Sequence, residues 1–108
     1  MKKLALFVEG QTEQIFVEQL LQYIAGDHGI NIEKRRGFGG RDQGRSFITL
    51  SSPDGEAPFY ILLVDSSNDG RVLSDIREEY EGLARQGYDK IIGLRDIYPH
   101  THLSLIHI

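Results

Sequence analysis

Leu4-Ala5-Leu6-Phe7-Val8-Glu9-Gly10 opens the chain with a short apolar run that stops at a carboxylate. The pattern returns twice. Phe59-Tyr60-Ile61-Leu62-Leu63-Val64 ends at Asp65, and Ile91-Ile92-Gly93-Leu94 runs through Arg95 into Asp96. Near-continuous apolar runs of strand length mark parallel strands buried on both faces. In an open parallel sheet the ligand lies outside the carboxyl ends of the strands. The runs therefore predict that Glu9, Asp65 and Asp96 share one edge of one sheet. Three acids gathered there repel one another unless a cation or shared protons compensate them, and oxygen-only ligation suits Mg2+ or Mn2+.

The segments between these runs read as an α/β alternation. Gly10-Gln11-Thr12 makes a turn, with Thr12 as N-cap of a helix to about Ala25 and Gly26 as its stop. Phe16, Leu20 and Ile24 recur at i+4, with Val17 and Leu21 beside them, as the stripe expected to pack on the sheet. Ile30 and Ile32 suggest a short half-exposed strand, and Phe47 to Leu50 another. Between them, from Arg36 to Gly44, Gly and Arg replace any apolar period, which reads as a mobile loop. Ser52-Pro53-Asp54-Gly55 is a turn signal. A second helix is expected from about Arg71 to Gln86, with Leu73, Ile76, Tyr80, Leu83 and Ala84 on its apolar face and Gly87 closing it. The order β-α-(β-loop-β)-β-α-β implies right-handed crossovers and a mainly parallel, three-layer α/β sandwich with helices on both faces.

At 108 residues the chain is of single-domain size, and its formal charge of −4 argues against wholesale coating of nucleic acid, so any such contact needs a local basic patch. The absence of cysteine excludes disulfides, thiolate zinc sites and thiol nucleophiles. The apolar run after Met1-Lys2-Lys3 is too short for a signal peptide, and no segment approaches the roughly 18 apolar residues of a membrane span. A cytoplasmic protein without a membrane partner is the expectation. His102 to Ile108 departs from this pattern: it carries no caps and no acid or lysine, and Leu-Ser-Leu-Ile-His-Ile is similar to a translated sequencing adapter. The expected division is a domain over 1–101, continuing in the natural chain beyond Thr101, and a non-native tail over 102–108; the alternative is a genuine short C-terminal strand.

Val8-Glu9-Gly10-Gln11-Thr12-Glu13 after an N-terminal strand resembles the opening Glu-Gly motif of Toprim domains. It is most similar to a Toprim-like family of bacterial proteins whose chains begin with a VEGxTE stretch, related to the Toprim domains of primases and of overcoming-lysogenization-defect nucleases. The resemblance covers about residues 3–99. It implies a Rossmann-like Toprim fold, an acid/base and metal-holding role for Glu9, and Mg2+ ligation by the first acid of a later Asp-x-Asp, which matches Asp96. The second acid of that motif would stand at 98, where this chain has Tyr98, a poor Mg2+ ligand at neutral pH. Asp65, Glu13 or a residue of the natural chain beyond the expected truncation supplies the missing oxygen, or the site is degenerate. Glu13 also has a simpler reading, since negative charge is favourable in the first turn of any helix.

Lys34, Arg35, Arg36, Arg41 and Arg45 stand among four glycines and Phe38. Such a segment suits phosphate backbones and unpaired bases, and equally suits a solvated loop whose arginines pair with nearby acids. Together these features point to Mg2+- or Mn2+-dependent phosphodiester chemistry on DNA or RNA. The enzyme expected is a Toprim-type nuclease with Glu9 and Asp96 catalytic, and the resemblance implies a bacterial phage-defence setting with a protein partner. Two rivals stand beside it: a non-catalytic nucleic-acid- or partner-binding module with a decayed site, and a receiver-like phosphoacceptor domain. The receiver reading lacks both the expected acidic pair after strand one and a strand-end lysine.

Overall fold

The computed structural model describes residues 1–26, 29–40, 44–97 and 102–107, with residues 69, 95–97 and 102–107 described by backbone alone. The chain runs β1 (Lys2–Val8), α1 (Gln11–Ala25), β2 (Ile30–Phe38), β3 (Ser46–Ser51), β4 (Phe59–Asp65), a 3-10 turn (Asp69–Arg71), α2 (Val72–Arg85), β5 (Lys90–Ile97) and β6 (His102–His107). The strands form one sheet in the order β3-β2-β4-β1-β5-β6. β4 pairs parallel with both β1 and β2, and β1 pairs parallel with β5. β3 and β6 are antiparallel additions at the two edges. An apolar segment can pair with an open strand edge whatever its origin, so β6 does not test the division expected at Thr101.

The apolar runs occupy the centre because both faces of that centre are covered. Ala5, Phe7, Leu62 and Val64 pack with Val72, Ile76 and Leu83 of α2. Leu6, Val8, Ile61 and Leu63 pack with Val17 and Leu21 of α1. The period of two sends alternate residues of one strand to different helices, which is why these strands lack the polar alternation of a half-exposed sheet. The connection through α1 moves from β1 toward the β2 side, and that through α2 moves from β4 past β1 to β5. Two crossovers of one hand running in opposite directions must cover opposite faces. The three-layer α/β architecture expected from the sequence is thus the one observed.

Both helices are rotated from the orientation their apolar stripes predict. In α1 the inward residues are Gln14, Val17 and Leu21, while Phe16, Leu20 and Ile24 are 55%, 43% and 70% exposed. The rotation follows from Gln14, whose amide donates to the carbonyls of Arg35 and Leu63 on adjacent strands, both at 3.0 Å. A buried amide satisfied in this way costs little, so a glutamine faces the sheet. Thr12 is exposed and does not cap; the N-cap position belongs to Gly10, in extended conformation and without a side-chain hydrogen bond. In α2, Ile76 and Leu83 face inward as expected, but Val72 and Asp75 join them, while Tyr80 and Ala84 are exposed.

The segment read as a loop from Arg36 is ordered strand through Phe38. Arg36 pairs with both Asp65 of β4 and Ile48 of β3, and Gly37 with Phe47. Its glycines answer steric demands. A Cβ on Gly37 would stand 2.5 Å from Arg45 Nη2 and 2.9 Å from a ring carbon of Phe47. Because that arginine is held at its far end, it cannot swing away. Gly37→Ala is expected to destabilise the domain by about 1–3 kcal/mol, as overpacking does. A shift of the urea midpoint at constant slope measures it, and an unchanged midpoint would mean that the hairpin yields freely.

A second expectation concerns alkaline pH. The Tyr60 hydroxyl donates to Glu33, which also accepts from Arg35, and Lys3 Nζ lies 4.4 Å from the centre of the Tyr88 ring. Burial and then the adjoining Glu33 carboxylate push the Tyr60 phenol well above its ordinary range, and burial also raises Tyr88. A phenol whose pKa is raised by folding contributes stability that is complete below about pH 10 and lost as pH climbs through the folded value. Denaturant midpoints should therefore fall between pH 9.5 and 11 by more than in Tyr60→Phe, where the decline is shallower. Equal slopes in the two proteins would contradict the assignment.

Candidate functional site at the switch point

The chain leaves β1 in one direction and β4 in the other, so the crevice between their carboxyl ends is the topological switch point of the sheet. Val8 is level with Asp65, and Arg36 of β2 is level with Asp65 from the other side. The Ser66 N–H donates to the Val8 carbonyl at 2.8 Å and holds the two strand ends together. On β5, Gly93 is level with Phe7, which brings the Asp96 backbone to the same edge as Glu9. The three acids thus occupy one edge, as their positions after apolar runs predict.

Their surroundings differ. Glu9 is half-buried in the turn between β1 and α1. Glu13 folds back onto the same turn: its Oε2 lies 3.1 Å from the point a Gly10 Cβ would occupy. Asp65 is 2% exposed, and its Oδ1 accepts the Ser67 N–H at 2.7 Å while its Oδ2 lies 3.9 Å from Arg36 Nε. That hydrogen bond closes a tight turn in which Ser67 takes φ +65°, a left-handed conformation uncommon for serine. Asp65 therefore shapes the edge and partners Arg36. The Asp96 side chain and Tyr98 lie outside the described residues. Among the described residues no three His, Asp or Glu side chains are grouped to hold one metal ion. Glu9 and Glu13 offer hard oxygen donors of the kind Mg2+ and Mn2+ take, with Asp96 as the third donor in sequence.

The basic residues do not form one stripe. Lys34 pairs with Glu18 of α1 at 3.1 Å, and Arg35 pairs with Glu33. Arg45 is buried, with an 8% exposed side chain, and grips Asp75 of α2 through Nε at 2.9 Å and Nη2 at 2.8 Å. Its expected role as a nucleic-acid contact gives way to a structural one, because both its faces are spent on Asp75 and on the carbonyls of Gly39 and Ser66. Among the described residues of this set Arg36 is the exposed member, 56% accessible, with Nε 3.3 Å from Ser67 Oγ. Arg41 lies outside the described residues.

A cavity of about 660 Å3 opens beside this edge, between the β2–β3 hairpin and the start of α2. Ser66 and Arg71, which sequence reading passed over, belong to its wall, and Arg71 Nη2 stands 3.4 Å from Asp75 Oδ1. A serine after a strand-end acid and an arginine before a helix carry no local signal of such a role. Comparison with family models, curated proteins and solved structures finds no match.

Proposed function

We propose that this domain carries out Mg2+- or Mn2+-dependent phosphodiester cleavage on nucleic acid, in the manner of a Toprim-type nuclease. The observation that supports it best is Glu9 at the carboxyl end of a central strand, on the switch-point edge, with Arg36 standing opposite at the level of Asp65. A divalent ion held by Glu9, with Glu13 and Asp96 as further oxygen donors, would polarise the scissile phosphate and acidify an attacking water. Glu9 is the group placed to accept or return a proton at that phosphate. Arg36 orients and neutralises the nonbridging oxygens, and Asp65 holds Arg36 at the correct height. Gly10, without a side chain, leaves room for the Glu13 carboxylate beside Glu9 at the start of α1.

The engagement of Asp65 by Arg36 favours one second reading, a binding module in which the acids no longer hold metal. One assay separates the two. End-labelled single-stranded DNA and RNA are incubated with the full chain and Mn2+ or Mg2+, with EDTA as control. Metal-dependent cleavage supports the nuclease. Retention of labelled strands without cleavage, equal with and without metal, supports the binding module.

A further inference from the structure

The cavity next to the switch point contains unspent polar groups. Ser66 is fully buried, and among the described residues its Oγ has no hydrogen-bond partner; the buried Nε of Arg71 likewise has none among them. Buried polar atoms are nearly always satisfied, so two orphans on the wall of one cavity point to a missing acceptor. Arg36 adds a third donor from β2. Asn68, Gly70 and Arg71, in the turn that leads into α2, belong to the same wall. Three guanidinium groups, on Arg36, Arg45 and Arg71, stand against the carboxylates of Asp65 and Asp75, and Glu78 Oε2 lies 3.7 Å from Arg71 Nη2. With Glu78 counted the charges balance, so an anion here is recognised by directed donors rather than by net charge.

The remaining walls describe what is attached to the anion. Phe38 and Ile48, 51% and 48% exposed, line the cavity and offer an apolar surface on which a base can stack. Gly40, at φ +116°, leaves room for Arg71: a Cβ there would stand 3.0 Å from its Nη2. Donors converging from β2, from the end of β4 and from the start of α2 suit a tetrahedral anion with several oxygens better than a planar carboxylate. We propose that this cavity is a nucleoside monophosphate subsite, in which Ser66, Arg71 and Arg36 hold the phosphate and Phe38 carries the base. This deepens the nuclease reading, from which it takes nucleic acid as the source of the ligand. Glu9 and Glu13 do not line the cavity, so binding here is separable from cleavage through Ser66 and Phe38, whereas Arg36 serves both.

The test is run in EDTA, where no turnover occurs. Fluorescence anisotropy follows short oligonucleotides carrying a 5′-phosphate, a 3′-phosphate or neither, with AMP and inorganic phosphate as competitors. AMP should compete in every case. A strand-end phosphate that tightens binding by at least about tenfold, the size of one charge-assisted hydrogen bond, assigns the subsite to strand ends. Competition by AMP with no preference among the oligonucleotides assigns it to the free nucleotide, and either result supports the proposal. Arg36→Gln and Ser66→Ala should each weaken AMP about tenfold or more. Ser66→Ala should do so without a loss of melting temperature, since its hydroxyl makes no bond among the described residues. Phe38→Ala should weaken AMP but not inorganic phosphate. Failure of AMP to compete, or Ser66→Ala and Arg36→Gln variants that bind AMP as the wild type does, would overturn the subsite and leave the cleavage assay untouched.

Discussion

Asp75→Ala is expected to be the most destabilising single change in this domain, lowering stability by about 3–5 kcal/mol, the usual result of removing one partner from a buried ion pair. Asp75 is fully buried and receives two hydrogen bonds from Arg45 and a longer contact from Arg71. Alanine leaves the Arg45 guanidinium enclosed, with only the Ser66 and Gly39 carbonyls to satisfy it. Domains of this size are stable by roughly 5–15 kcal/mol in total, so the loss is a large fraction of the whole. At about 4–8 °C per kcal/mol it corresponds to a fall in melting temperature of more than about 10 °C. A paired replacement, Asp75→Leu with Arg45→Met, should recover most of the loss, because neither charge is then buried. Thermal melts of the three proteins decide it. A drop of less than about 3 °C for Asp75→Ala would show that Arg45 escapes to solvent and that the pair is incidental.

That ion pair also marks where the sequence stops being legible. The strand cores could be read because burial on both faces leaves a local trace, an unbroken apolar run closed by an acid at Asp65 or Glu9. The edge that gathers the acids followed from the same trace. The inward faces of the helices could not be read in the same way. In α1, Phe16, Leu20 and Ile24 make a better stripe than Gln14, Val17 and Leu21, and only the carbonyls of Arg35 and Leu63 explain why the glutamine turns inward. In α2, Asp75 looks like an ordinary surface acid until Arg45 arrives from β3's leading edge, 30 residues away in sequence. The glycines from Gly37 onward read as looseness, whereas Gly37 and Gly40 make room for Arg45 and Arg71. Each misreading involves a polar group whose partner is distant in the chain, and no periodicity records such a partner.

Glu9 is expected to have the opposite signature to Asp75. Glutamine keeps the volume and part of the hydrogen bonding of glutamate and removes the charge. At a half-buried position in the turn after β1, Glu9→Gln should change stability by no more than about 0.5 kcal/mol, or raise it slightly by easing repulsion with Glu13 and the neighbouring acids. The effect on cleavage should be large, because one acid/base group commonly contributes 10²–10⁴ in rate, and loss of a metal ligand acts in the same direction. Glu13→Gln should cost less, since Glu13 is expected to support the metal without handling the proton.

The most direct measurement is single-turnover cleavage of an end-labelled strand by wild type, Glu9→Gln and Glu13→Gln in Mn2+, with the melting temperature of each recorded in the same buffer. The prediction is metal-dependent cleavage by the wild type, abolished by EDTA. Its rate should fall by at least about 10² in Glu9→Gln at an unchanged melting temperature. A Glu9→Gln protein that unfolds would make Glu9 a structural acceptor, and one that folds and cleaves at the wild-type rate would contradict the assignment of this edge as the catalytic centre.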